Sequence, residues 1–532
     1  MELLPAERDT RISQAQAQLT ERVLRRHDAA IVLCEREGAE KLIRELPFAA
    51  TWQRLYRQAR ARGPVTLLSA RLTDAAIPVV VGFAKNTAST FERLTLAARA
   101  WKELAAPPQA RVLLAAHGMQ KQQSSDVLET LIAATLAATA PMPTMKSKAP
   151  RLVAPRSLTL VNGGGASLDI SRSVAIDRGN HLARWLTTLP PNVLNTGSYR
   201  RALRELARRQ RWGFSFLDEA ALRKQGAGAF LAVSRANEHR DAGIVRLRYR
   251  AAKRRNVPRL ALVGKGICFD TGGINLKSHK SMYHMHEDMQ GSAVAVGTLL
   301  ALSESQAPYD VDCWLAITEN QIGARAFRPQ EVVRAANGVT IQVAHSDAEG
   351  RMVLADTLAI AAREQPDLMI DFATLTGACV TALTERYSGA FTNRPEWHAT
   401  LEKAGRSSGE RIWPFPMDED YDADLESSIA DILQCTPDSK GDHILAARFL
   451  NRFVPAEIPW IHLDLAASNR SGGLAHIPTD FTGFGVRYAT QLLLGHPTKS
   501  REGGLTLLSR RTISRGPRQD SDKRSGSRKR AR

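Results

Sequence analysis

Apolar, β-branched runs alternate with stretches of helical periodicity along most of this chain. That alternation is the signature of α/β domains with largely parallel sheets. In the first part it predicts strands at 65–68, 78–83 and 112–115 and helices near 91–104 and 126–138, a small N-terminal α/β domain over residues 1–150. Between 141 and 156 the sequence turns rich in Pro, Lys and Ala, and Asn162, Gly163, Gly164 and Gly165 follow, which marks a boundary. The glycine cluster lacks the continuation of a phosphate-binding loop and reads as a turn. An amphipathic helix over 170–186 stops before Pro190 and Pro191, because a residue preceding proline is pushed away from helical geometry.

A larger α/β domain is expected over 160–490, with a mixed, mostly parallel central sheet sandwiched by helices. Its predicted strands are 243–249, 259–263, 311–317, 339–344, 368–372 and 460–463, and its helices include 291–302, 352–363 and 443–453. From Pro497 to Arg532 apolar periodicity fades, and twelve basic residues stand against three acidic ones. This basic tail is expected to be disordered, and it accounts for much of the formal net charge of +19. Such a tail can hold nucleic acid weakly and non-specifically through counterion release, though it lacks the interleaved aromatics of single-strand binders.

The N-terminus turns polar too early for a signal peptide, and no apolar run approaches the roughly 20 residues that span a bilayer. Five scattered cysteines, Cys34, Cys268, Cys313, Cys379 and Cys435, have no zinc-ribbon spacing and read as free thiols of a reducing cytoplasm.

Two short segments carry the chemistry. The first begins as a buried strand at Val263, passes Lys265 and Asp270, and ends in a loop with Gly272, Gly273 and Lys277. Loops at the carboxyl ends of parallel strands are where α/β proteins bind. Eleven residues after Lys277, Asp288 brings further acid to the start of the next helix. The second segment places Asp347, Glu349 and Arg351 at alternate positions after a strand, so that an extended backbone aims all three to one side. If the segments meet, Asp270, Asp288, Asp347 and Glu349 converge, and four carboxylates cannot all stay ionised in one cleft unaided. Two divalent cations cancel that charge, and oxygen ligands with an occasional nitrogen, here Lys265, suit Zn, Mn or Mg. Lys277 and Arg351 remain as cations able to stabilise an oxyanion or hold a small anion.

The stretches Gly264-Lys-Gly-Ile-Cys-Phe-Asp-Thr-Gly-Gly273 and Asp347-Ala-Glu-Gly-Arg351 closely resemble the two signatures of the leucyl aminopeptidase (M17) family. Leu189-Pro-Pro-Asn192, Asp371-Phe-Ala-Thr-Leu-Thr-Gly-Ala378 and Thr482-Gly-Phe-Gly-Val-Arg487 extend the likeness over roughly 165–490. The resemblance implies a metallo-exopeptidase that releases N-terminal, leucine-like residues from peptides, with two Mn or Zn ions held by Lys265, Asp270, Asp288, Asp347 and Glu349. Asp270 and Glu349 are then shared by both ions, Lys277 is the catalytic lysine, and Arg351 holds a bicarbonate that acts as general base. It further implies a cytoplasmic homohexamer. Met285, Thr374 and Gly377 fall where relatives line the pocket for the first side chain, although Met285 and Thr374 also suit plain core packing. His345, Ser346 and Gln290 depart from the family pattern next to the site. His284 and His286 flank it and are read as pocket wall or supporting residues rather than ligands. The competing readings are a nucleic-acid-binding or regulatory protein that keeps the fold, motivated by the tail, and an inactive relative with an altered pocket. Neither a GxSxG elbow nor an HExxH helix occurs.

Overall fold

The computed structural model describes residues 2–495 apart from 16, 108, 149–153, 162–167, 253–256 and 439. The glycine cluster and the basic tail fall outside the described residues. Two large sheets organise the chain. The first runs in the order Arg11–Ala15, Ser157–Val161, Arg111–His117, Ala29–Glu35, Ile77–Ala84, Leu67–Leu72 and is parallel except at the last pair. Ala29–Glu35 is nearly continuously apolar and buried, as a central parallel strand covered on both faces must be. Ser157–Val161, which sequence patterning left in the boundary region, pairs with strands on both sides, so the first sheet takes a strand from beyond residue 150.

The second sheet has eight strands in the order Ile412–Pro414, Ser388–Thr392, Trp460–Asp464, Leu368–Ala373, Arg259–Asp270, Asp310–Asn320, Gly243–Tyr249, Gly213–Asp218. Its four central strands, from Trp460–Asp464 to Asp310–Asn320, are parallel; the pairs outside them are antiparallel except the edge pair of Ser388–Thr392 with Ile412–Pro414, which is parallel. This is the mixed α/β sheet expected from the sequence. On one face pack the helices Ile170–Thr188, Thr196–Gln210, Gln290–Glu304 and Val486–Leu494, and on the other Gly228–Ser234, Glu349–Ala362 and Asp442–Asn451. Gln290–Glu304 is apolar all round because it is enclosed between the sheet and Ile170–Thr188. Those two helices cross at Gly179 and Gly297, where a Cβ on either would run into the other's carbonyl oxygen.

One predicted core strand belongs elsewhere. The stretch 339–344 contributes only Thr340–Gln342, and it pairs with Val332–Arg334 and Ile432–Leu433 in a separate three-stranded sheet. Asn337 and Gly338 turn the chain between the first two of these strands, with Gly338 at φ +94°, a conformation that glycine adopts freely. An Asn-Gly pair between apolar runs is a hairpin signal, and it overrides the reading of 339–344 as a buried parallel strand. Among the described residues no helix is long and apolar enough to cross a membrane, and all five cysteines are buried and free.

A buried ion pair joins the two sheets' helices. Arg487, on Val486–Leu494, donates to both oxygens of Glu129, on Lys121–Ala138, at 2.7 and 2.6 Å and to the Ser408 carbonyl at 2.6 Å. Both side chains are almost wholly buried. Removing one member of such a pair strands the other charge, which costs about 3–5 kcal/mol. Glu129→Ala should therefore lower the unfolding free energy obtained from denaturant titration by an amount of that size, and a change under about 1 kcal/mol would show that the pair does not fasten the two parts.

Candidate metal centre

Asp270 ends the strand Arg259–Asp270, and Asn320 ends its parallel neighbour. Register slips between Thr318 and Asn320, and this irregularity sets Asn320 opposite Asp270. The chain then turns through Gly272 (φ +84°) and Gly273 (φ +65°). A Cβ on Gly272 would sit 2.9 Å from an Asp347 carboxylate oxygen, so glycine serves both the turn and the close approach. Lys277 N donates to Thr271 O at 3.0 Å, folding the loop back over Asp270. Ser346 fastens this loop to the second segment. Its hydroxyl donates to Gly272 O at 2.7 Å and accepts from Asn275 N at 2.8 Å, while its own N–H donates to Asn275 Oδ1 at 2.9 Å.

The second segment is not extended as its spacing suggested. Asp347 lies in a turn and the helix Glu349–Ala362 begins two residues later. Asp347 and Glu349 face the first segment, but Arg351 turns away from the acids. Its Nη2 donates to both oxygens of Asp442 at 2.7 and 2.8 Å and its Nη1 to Gln434 O at 3.2 Å.

Single carboxylate oxygens of Asp270, Asp347 and Glu349 all lie within 4.8 Å of one another. Asp288 joins them through Lys265, whose buried amine is 2.8 Å from Asp288 Oδ1, 3.0 Å from Glu349 Oε1 and 2.9 Å from the Thr374 carbonyl oxygen. Lys277 Nζ bridges Asp270 Oδ2 at 3.0 Å and Asp347 Oδ1 at 2.7 Å. Gly350 makes room for Lys265, since a Cβ there would meet its Cε and Nζ at 2.7 Å.

Burial and mutual repulsion disturb every acid whose titration shifts. Burial first, then the Glu349 and Asp270 carboxylates, pushes Asp288 up to about 8 despite Lys265. Burial and Asp270 raise Asp347 to about 6, and the same two causes raise Glu349. Burial alone would pull both lysines down, but the surrounding acids outweigh it and hold their pKa values above the ordinary range. Asp288 Oδ2 is buried with no hydrogen-bond partner. An unpaired buried carboxylate oxygen beside three more acids is what a cation-binding donor set looks like in protein atoms alone.

Of the proposed pocket residues, Thr374 touches this cluster, donating from Oγ1 to Asp288 Oδ1 at 2.8 Å. Met285 is half-buried in the short turn Met285–Glu287 ahead of Asp288, and Gly377 is exposed at the start of the helix Gly377–Leu383. His284 and His286 lie outside the acidic group, His286 packing edge-on against Phe481. Gln290 is buried with neither amide atom paired.

A family model described as the cytosol aminopeptidase family, catalytic domain, matches residues 181–490. The chain belongs to the cytosol aminopeptidase family. It is 38% identical over 320 residues to a probable cytosol aminopeptidase of Rhodopseudomonas palustris, covering 60% of this chain and 63% of that protein. With the corresponding protein of Stutzerimonas stutzeri it shares 42% over 300 residues, 56% of this chain and 60% of the relative. These sequence matches thus span less than two thirds of each relative. In three dimensions the likeness is broader. A mutant tomato leucine aminopeptidase superposes with TM-score 0.80 at 25% identity, covering 92% of this chain and 97% of that one. The bottromycin maturation enzyme BotP in complex with Mn gives 0.73 at 26% identity over 87% and 98%.

Within this cytosol aminopeptidase site, sequence reading passed over Asn320. Its amide donates to Asp270 Oδ1 at 2.8 Å, to Ser346 O at 3.0 Å and to Glu349 Oε2 at 3.5 Å, which orients two of the acids at once. The available signal was a polar residue at the carboxyl end of a core strand beside Asp270. Asp442 and Gln434 were passed over as well, and nothing in local spacing linked them to Arg351. Supporting hydrogen bonds of this kind are worth about 10–100-fold in metal affinity. Asn320→Ala should weaken Mn or Zn binding by that factor in calorimetric titration while the protein stays folded, and unchanged affinity would deny Asn320 a part in orienting the acids.

Proposed function

We propose that the chain is a metal-dependent aminopeptidase that releases N-terminal residues, leucine-like by preference, from peptides. The observation that carries this reading is the convergence of four carboxylates and a buried lysine at the carboxyl edge of the sheet, with Asp288 Oδ2 left unpaired. Lys265, Asp270, Asp288, Asp347 and Glu349 would hold two divalent ions, Mn or Zn, with Asp270 and Glu349 shared. When bound, such a pair supplies Lewis acidity, polarising the scissile carbonyl and acidifying water.

The chain's own residues do the rest. Lys277 is half-enclosed next to the acids, where its ammonium can meet the oxyanion that develops as the carbonyl is attacked. Thr374, tied to Asp288, forms with Met285 and Gly377 the wall that receives the first side chain. Ser346 and Asn320 fix the two loops, so that the acids need no rearrangement when a substrate arrives. The finer expectations belong to the same proposal: a cytoplasmic homohexamer, peptide substrates, and an anion such as bicarbonate near Arg351. Weak nucleic-acid retention by the tail would be a secondary activity, removable by truncation at Pro497 without loss of peptidase activity.

Metal-stripped protein should hydrolyse leucine p-nitroanilide only after Mn or Zn is restored. Glu349→Ala should abolish that recovery, and Lys277→Ala should cut kcat by roughly 10²–10³-fold. Metal uptake with no N-terminal residue released from a broad peptide set would sink the proposal.

Metal binding must also displace protons. In the metal-free protein the raised values of Asp288, about 8, and Asp347, about 6, mean that protons are held near neutrality and lost on binding. Apparent affinity should therefore climb as pH rises through this window. Calorimetry in buffers of different ionisation enthalpy should show proton release falling between about pH 6 and 9 without vanishing, because a ligating Lys265 gives up a proton throughout. Release that reaches zero would remove Lys265 from the ligand set.

A further inference from the structure

We infer that the cavity where the first sheet's helices meet the second sheet binds the phosphate group of a small organic molecule, held by Arg386, Arg411 and Arg470. The inference is independent of the aminopeptidase reading. The cavity measures about 440 Å³, within the range of pockets that take whole small molecules. Phe91 and Thr95 reach it from the helix Thr90–Glu103, which packs on the first sheet. Arg386 and Arg411 stand just ahead of Ser388–Thr392 and Ile412–Pro414, two strands that pair in parallel, so both arginines lie at the same end. Arg470 comes from the loop after Trp460–Asp464.

On this chain's helices, arginines such as Arg25 and Arg406 are matched by an acid one turn away, Glu21 and Glu402. Here no acidic residue lines the cavity, and none of the three arginines forms an ion pair among the described residues. Arginine keeps its proton in proteins, so three positive charges share one recess. Arg411 is also held in place. Its guanidinium carbon lies 3.9 Å from the ring centre of Phe91 and 4.3 Å from that of Tyr387. Ring contacts occupy the flat of a guanidinium and leave its N–H edge to hydrogen bonds. Among the described residues that edge makes one, from Nη2 to Arg386 O at 3.4 Å, and Nε is buried with no partner.

The loop that carries Arg470 is shaped in advance. Leu474 and Ile477 exchange backbone hydrogen bonds, both at 3.0 Å, and Arg470 O accepts from Gly473 N at 2.9 Å. Gly473 has φ +85°, and a Cβ on it would run into Ile477 O. Arg470 Nη1 donates to Gly473 O at 2.9 Å, which fixes the guanidinium. Asp480 serves the turn, its Oδ1 accepting from Gly472 N at 2.9 Å, and does not pair with Arg470. A phosphate group presents several charged acceptor oxygens, and planar, forked arginine donors match them. Leu474, Ala475 and Ile477 add an apolar wall, which favours a phosphate carried by an apolar body over the free ion. Because the lining comes from both parts of the chain, an occupant also ties them together.

The test titrates phenyl phosphate calorimetrically into the full chain, loaded with Mn and freed of excess metal. Wild type should bind with a Kd of about 1 mM or tighter, several-fold more tightly than it binds inorganic phosphate or benzoate. Arg386→Gln and Arg470→Gln leave the Arg411 stack intact and should each weaken binding by about 10-fold. Arg411→Lys keeps the charge but not the planar edge and should weaken it by a similar factor. Phenyl phosphate should raise the melting temperature of wild type and leave that of a protein carrying both Arg386→Gln and Arg470→Gln unmoved. Melts without ligand check that each variant folds. Three results would overturn the inference. The first is no saturable binding to wild type up to about 10 mM. The second is a Kd unchanged in Arg386→Gln and Arg470→Gln, which would put the phosphate elsewhere, such as at the metal ions. The third is inorganic phosphate or benzoate bound as tightly as the ester, which would assign the cavity to a free ion or a carboxylate.

Discussion

Four carboxylates pressed against two ammonium groups at the end of a buried strand set the terms for everything around them. Asp270, Asp288, Asp347 and Glu349 bring four negative charges when ionised, and Lys265 and Lys277 return two. Burying such an excess is costly, and the raised carboxyl pKa values are its direct expression. The fold holds the cluster together through neighbours that have no charge to add. Asn320 donates to two acids, Ser346 ties the two loops, and glycines at 272 and 350 let a carboxylate and a lysine approach where a side chain would block them. Divalent cations, as proposed, would complete a charge balance that protein atoms leave unfinished.

Much of this was legible in the sequence because the strongest signals were local. Asp270 closes an apolar run that could only be a buried strand, and the glycines after it announced a loop. Asp347 and Glu349 follow within a few residues of each other. Their identity was readable while their geometry was not: alternate spacing suggested an extended segment, but a helix starting at Glu349 rotates Arg351 away from the acids. The reading of 339–344 failed for a related reason, since apolar composition does not tell a core strand from half of an Asn-Gly hairpin. Asn320 and Asp442 were missed because their roles depend on register between strands and on a contact across 91 residues of chain, neither of which is written in local pattern.

Membership of the cytosol aminopeptidase family fixes the frame but not each part within it. Arg351 illustrates the difference, because it finds a partner, Asp442, that comes from a distant helix. The same holds for the fastening of the first sheet's helices to the second. That contact runs through Glu129 and Arg487, and only Arg487 lies within the residues that the family model matches.

The central claim is that the acidic cluster holds two ions sharing ligands rather than one ion with charged neighbours. Electron paramagnetic resonance of protein loaded with Mn(II) tests it most directly. Two ions bridged by Asp270 and Glu349 should give the broadened, exchange-coupled spectrum of a spin pair, appearing as the second equivalent of metal is added. A spectrum of isolated Mn(II) at every loading would contradict the shared site and leave the cluster with a single cation.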